Sequence, residues 1–86
     1  MLEHHPTPNP DSLKFIGAFI EEGMLVISNA EEADAHPLGR ALFSIEGVAN
    51  VFALPQFLTV TKQPNISWGK ILPRIKNVLK AHLEGA

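Results

Sequence analysis

The chain has 86 residues, 45% of them hydrophobic and 19% charged, with a formal net charge of −2 and no cysteine. That is one domain near the lower end of the size that folds on a single core, with the composition of a globular rather than a disordered chain. The near-neutral charge supplies no pull toward nucleic acid or anionic membrane, and no apolar run approaches the roughly 20 residues that span a bilayer.

The first residues, Met1 to Pro6, lack the basic and apolar regions of a signal peptide. An intracellular, cytoplasmic setting is therefore expected, or an organellar one if a longer precursor exists. Residues 1–11 are expected as an extended lead-in, stiffened by Pro6, Pro8 and Pro10, and residues 12–86 as a single domain. Ser12 to Ile16 alternates weakly and reads as a strand. Gly23 precedes a second strand-like run, Met24 to Ser28, rich in branched and long apolar residues.

Residues 29–35 are small and acidic, a loop leading to a helix. Pro37 suits a first helical position, and Leu38, Ala41, Leu42 and Ile45 follow at i, i+3, i+4 and i+7 as one apolar stripe. His36 stands where Ser, Thr or Asp is the usual cap, so the cap reads as weak, and Gly47 supplies a left-handed stop. Val48 to Leu54 and Phe57 to Lys62 form two strands of a hairpin around Pro55-Gln56. From Ser67 the period is helical. Trp68, Ile71, Leu72, Ile75, Val78, Leu79, His82 and Leu83 share an arc of roughly 140°, with Lys70, Arg74, Lys76, Asn77 and Lys80 opposite. Ser67 or Asn65 is placed to cap this helix, and Pro73 predicts a kink or a distorted first turn.

The predicted fold is α+β in two layers, β-β-α-β-β-α: a four-stranded, mostly antiparallel sheet with two helices on one face. Each strand pair is joined by a short link that favours antiparallel pairing.

Chemistry-bearing residues are sparse. His4 and His5 fall in the expected tail, His36 precedes a helix, and His82 lies on an apolar helix face; no pair has the i, i+4 spacing of a helical metal site. Glu31, Glu32 and Asp34 form an acidic loop that, with His36, is the weak candidate set for a metal ion such as iron, against a plain solvated loop. Glu21-Glu22 form a second acidic doublet. No nucleophile motif or phosphate-binding loop is present, so catalysis is not expected. The basic face Lys70, Arg74, Lys76 and Lys80 lacks interleaved aromatics and reads as a solvated helix face more readily than as a nucleic-acid site.

Apolar surface is the more useful signal. With both helices on one side, Lys14, Ile16, Val26, Phe57, Thr59 and Thr61 are expected on the open side of the sheet. Phe43 is expected to point about 140° away from its helix's core stripe, either exposed or packed against an edge strand. A contiguous Ile16–Val26–Phe57 patch would be a partner surface, and incidental exposure is the alternative.

Three segments carry a family resemblance: Thr-Pro-Asn-Pro-Asp-Ser-Leu-Lys-Phe from Thr7 to Phe15, Pro-Leu-Gly-Arg-Ala-Leu-Phe-Ser-Ile-Glu-Gly-Val from Pro37 to Val48, and Phe-Leu-Thr-Val-Thr-Lys from Phe57 to Lys62. With Trp68 and Pro73, they resemble the N-terminal domain of the Nfu/NifU-type iron–sulfur cluster scaffolds over nearly the whole chain. The resemblance implies a small α/β domain associated with cluster assembly and iron binding. In that family it usually precedes a second domain whose Cys-x-x-Cys binds the cluster. This chain ends at Ala86 without cysteine, which implies either a stand-alone version or a fragment of a two-domain scaffold. His36 departs from the serine that the family tends to place before the proline.

Three readings follow. The first is a non-catalytic adaptor that meets protein partners of cluster assembly through Arg40, Phe43 and the open sheet residues Ile16, Val26 and Phe57. The second is a direct iron-binding protein using His4, His5, His36 or acidic residues, with no cofactor held by cysteine. The third is a weak nucleic-acid module, and no membrane partner is expected.

Overall fold

The computed structural model describes residues 2–85. Strand β1 (Glu3–Pro6) is followed by β2 (Ser12–Ile16), β3 (Leu25–Ile27), a short helix α1 (Ala30–Ala33), helix α2 (Pro37–Phe43), β4 (Val48–Leu54), β5 (Phe57–Lys62) and the long helix α3 (Trp68–Leu83). The strands make one sheet in the order β1-β2-β5-β4-β3, with every neighbouring pair antiparallel. The expected α+β, two-layer architecture is present, with five strands rather than four. The extra strand comes from the lead-in: Glu3–Pro6 pairs with Leu13–Ile16, so His4 and His5 lie in a strand and not in a tail.

The expected pairing of the first two predicted strands does not occur. β2 pairs with β5 and β3 pairs with β4, so the two flank the β4–β5 hairpin. Residues 17–24 carry the chain between these positions and seat Phe19, 2% exposed, in the core. Both β2 and β3 thereby border the central β4–β5 hairpin.

Phe15, Ile27, Val51, Ala53, Leu58 and Val60 of the sheet meet Leu38, Leu42, Ile71, Ile75 and Leu79 of the helices in a single core. The side chains alternate across each strand, so this set defines the helix-covered face. α2 approaches closely because Gly39 has no side chain: a Cβ there would lie 2.1 Å from Ile27 Cδ1. Gly47, at φ +108, turns the chain from α2 into β4 in a region that other residues rarely adopt.

The helix termini differ from expectation in instructive ways. His36 is an effective N-cap, its Nδ1 accepting the Leu38 N–H at 3.2 Å. Asn29 caps α1 by accepting the Glu32 N–H at 2.9 Å. Ser67 is the N-cap of α3 but makes no side-chain cap bond. α3 continues through Pro73 without ending; Lys70 N–H bonds the Ser67 carbonyl at 3.1 Å, a tightened first turn that precedes the proline. Phe43 is half-buried and packs against the core.

The proline-rich lead-in is bolted down at several points. Thr7 Oγ1 donates to the Asn9 carbonyl at 2.9 Å, and the Asp11 N–H donates to Asn9 Oδ1 at 2.9 Å. Trp68 Nε1 donates to the Pro10 carbonyl at 3.0 Å, tying α3 to the same segment.

Candidate functional site

The face of the sheet turned away from the helices is open, and cross-strand register places its residues in rows. One row runs Val26, Phe52, Thr59, Lys14, His5 across β3, β4, β5, β2 and β1. The next runs Leu54, Phe57, Ile16, Glu3, and the third Asn50, Thr61, Ser12. Apolar side chains therefore concentrate toward the β4–β5 turn, and hydroxyl and amide groups toward the other end.

Specific contacts organise this surface. Phe52 and Phe57 lie 6.1 Å apart between ring centroids, and Lys14 Nζ stands 4.4 Å over the Phe57 ring. A cation over an aromatic face is held electrostatically while the charge stays wet. Ser12 Oγ and Thr61 Oγ1 share a hydrogen bond of 2.7 Å, and His5 contacts Glu3 on the rim. Ile16 and Val26 are 39% and 49% exposed, unusual for strand residues of this type.

The sequence-predicted site residues divide between two layers. Ile16, Val26 and Phe57 share the open face, as expected. Arg40 and Phe43 belong to α2 on the opposite side. Arg40 Nη2 donates to the Asp34 carbonyl at 3.0 Å, and its Nε lies 3.6 Å from Asp34 Oδ1, so it braces the α1–α2 connection. Phe52 and Leu54 were missed as surface residues. Their alternation with buried Val51 and Ala53 carries that signal, which a register shift at Val48/Asn50 obscures near the strand's start.

Three of the four candidate metal ligands are engaged elsewhere. His36 Nδ1 caps α2, Glu32 Oε1 accepts the Ser28 N–H at 2.7 Å, and Asp34 meets Arg40. Glu31 is exposed. His4 turns to the helix side against Phe15, centroids 5.6 Å apart, with a buried Nδ1 that has no hydrogen-bond partner. His82 Nε2 is 2.6 Å from the Phe19 carbonyl, which makes it the donor. His36 and His82 border one surface cleft of about 450 Å³ with Glu21, Glu22 and Met24. Among the described residues, no three His, Cys, Asp or Glu side chains are grouped to hold a metal ion. Lys70, Arg74 and Lys80 are exposed on the outer side of α3, with Lys76 partly buried. Among the described residues, no helix is long and apolar enough to cross a membrane.

This small antiparallel sheet with one helix-covered face has counterparts among solved structures. The solution structure of a NifU-like protein from Saccharomyces cerevisiae superposes with a TM-score of 0.86 at 26% identity, covering 100% of this chain and 80% of that one. The crystal structure of protein SAV1430 from Staphylococcus aureus shares the fold, with a TM-score of 0.77 at 24% identity over 88% of this chain and 93% of that one. Residues 2–86 match the family described as scaffold protein Nfu/NifU N terminal, and the chain belongs to that family. It is 40% identical over 77 residues to the human mitochondrial NFU1 iron–sulfur cluster scaffold homolog, covering 86% of this chain and 30% of that protein. It is 37% identical over 76 residues to the mitochondrial NifU-like protein 4 of Arabidopsis thaliana, covering 86% and 27%. The chain thus spans less than a third of the length of these curated relatives.

Proposed function

We propose that this domain is a non-catalytic docking module of iron–sulfur cluster assembly, recruiting protein partners through the open face of its sheet. The observation that carries the reading is the run Leu54–Phe57–Ile16, flanked by Phe52 and Val26, on a surface that the fold leaves uncovered. Such a patch, rimmed by Lys14, Thr59, Glu3 and His5, has the anatomy of a contact surface: an apolar centre with polar surroundings. Family membership supports the pathway, and the lack of cysteine supports a supporting role rather than a cluster-holding one. The mitochondrial relatives favour an organellar over a cytoplasmic setting.

The expected partners are cluster donors and apo-proteins that receive clusters. Immobilised wild-type chain and an Ile16→Asp/Phe57→Asp variant should be compared for capture of purified proteins of both kinds. The variant should lose about tenfold or more in affinity, as hot-spot removal does, while its circular dichroism and melting remain those of a folded domain. Undiminished capture by a folded variant would overturn the reading. Phe43→Asp is unsuitable here, since Phe43 packs on the core and its loss would confuse binding with folding.

A further inference from the structure

The two edges of the sheet are not equivalent, and register shows which is available. Lys62 donates its N–H to the Asp11 carbonyl at 2.7 Å, and the Gln56 carbonyl accepts from Gly17 N–H at 3.1 Å. The even-numbered residues of β5 therefore direct their backbone groups to β2, and Phe57, Thr59 and Thr61 direct theirs to β4. Opposite them, Leu54 and Phe52 bond toward β5, which leaves Ala53 and Val51 to bond toward β3, where Leu25 and Ile27 face them. Val26, between those two, aims its N–H and C=O out of the sheet.

On the other edge the same alternation turns Glu3 and His5 inward to β2 and leaves His4 and Pro6 outward. Pro6 has no N–H to offer, and charged or titratable side chains flank it, so β1 is a blunted edge. β3 has neither device. Residues 24–28 carry no charge, and Met24 and Val26 are 65% and 49% exposed. One outward group is already occupied from within: the Ser28 N–H is held by Glu32 Oε1 at 2.7 Å.

The surroundings of this edge are strongly acidic. Glu21 and Glu22 precede it, Glu31, Glu32 and Asp34 follow it, and all five are exposed. No lysine or arginine stands between Lys14 and Arg40, and Arg40 is engaged with Asp34. α1 adjoins β3 on the helix side, and the cleft lined by Glu21, Glu22, Met24, Leu25 and His36 opens beside it.

We propose that β3 is the docking edge for an extended basic segment of a partner protein, which adds to the sheet as a sixth strand. The segment pairs with the backbone of Val26 and Met24. Its residue opposite Val26 is apolar and lies on the open face beside Phe52. Its neighbours in sequence are Lys or Arg, turned to the helix side toward Glu21, Glu22 and Glu31. Charge complementarity selects the occupant: the same edge repels an acidic strand, and it repels a second copy of itself. The inference concerns the strand edge and shares only Val26 with the open-face reading.

The probe is the acetylated, amidated peptide Thr-Lys-Val-Lys-Thr-Lys, titrated into the isotope-labelled chain and followed by amide NMR and hydrogen exchange. Saturable shifts centred on Met24 and Val26, with exchange of the Val26 N–H slowed about tenfold or more, are expected. Methylating the peptide's valine nitrogen should weaken binding about tenfold by removing one backbone bond. Replacing its lysines by glutamates should abolish binding, and Glu21→Gln/Glu22→Gln/Glu31→Gln in the protein should weaken it and flatten its salt dependence. The Phe57→Asp variant should still bind the peptide, so failure of the edge and failure of the open face are told apart. Absence of saturable shifts, equal binding of the methylated or glutamate peptide, or shifts at Phe52 and Phe57 without slowed Val26 exchange would each overturn the proposal.

Discussion

Lys62 Nζ lies 2.8 Å from Asp11 Oδ1, with the lysine side chain 8% exposed and the aspartate 31% exposed. Lys62 ends β5 on the core side, where its Nζ also stands 5.8 Å from the Trp68 ring. The pair joins the proline-rich lead-in to the last strand, beside the Trp68–Pro10 hydrogen bond. The Thr-Pro-Asn-Pro-Asp segment is thus a clasp that positions β1 and β2 rather than a chemical site.

Removing one member of that pair leaves the other charge in a poorly hydrated place. Asp11→Ala is expected to destabilise by about 2–4 kcal/mol, while Asp11→Ala with Lys62→Met recovers much of the loss. Urea unfolding of the single and double variants measures both. Equal loss in single and double variants would show that the aspartate acts through its turn and not through the lysine.

Gly39 and Ile27 offer a steric test of how α2 meets the sheet. With a Cβ at Gly39 falling 2.1 Å from Ile27 Cδ1, and Ile27 fully buried, Gly39→Ala should cost about 1–3 kcal/mol. Ile27→Val removes the obstructing methyl. The double variant should then be less destabilised than the sum of the two single ones, by thermal or urea unfolding.

His36→Ala should cost about 1 kcal/mol through loss of the cap on Leu38 N–H, and His36→Ser should retain most of the stability because its hydroxyl reaches the same donor. Chemical denaturation resolves a difference of that size. An alanine variant as stable as wild type would remove the capping role.

Phe15 and Phe57 lie on adjacent strands but face opposite sides of the sheet. Phe15 is 0% exposed, so Phe15→Ala should cost about 3–5 kcal/mol; Phe57→Ala, on the open face, should cost about 1 kcal/mol. Comparable losses at the two positions would mean that the open face is packed in solution.

Much of this arrangement was legible in local pattern. The stripe Leu38, Ala41, Leu42, the amphipathic period of α3 and the Pro55-Gln56 hairpin depend on neighbours a few residues away and appear where that pattern puts them, while Ile45 is buried just past the end of α2. That Ile16, Val26 and Phe57 share one face is legible because side-chain alternation is a property of each strand alone. Two differences originate in long-range packing: β1 exists only because β2 offers it an edge, and Phe43 is half-covered because it packs against the core. The His36 cap is local, its ring accepting from the Leu38 N–H two residues on.

By itself, the order of residues determined most of the helical and extended segments and which side of each is apolar, since those follow from backbone geometry and local burial; the short helix α1, in a stretch that reads locally as an acidic loop, is the exception. Tertiary structure decided which strands became neighbours. β2 and β3 are close in sequence yet take opposite sides of the β4–β5 hairpin, a choice that alternation within each strand leaves open because antiparallel pairing is compatible with several partners. The same choice left β3 at an edge and Val26 facing outward, a consequence no local pattern contains.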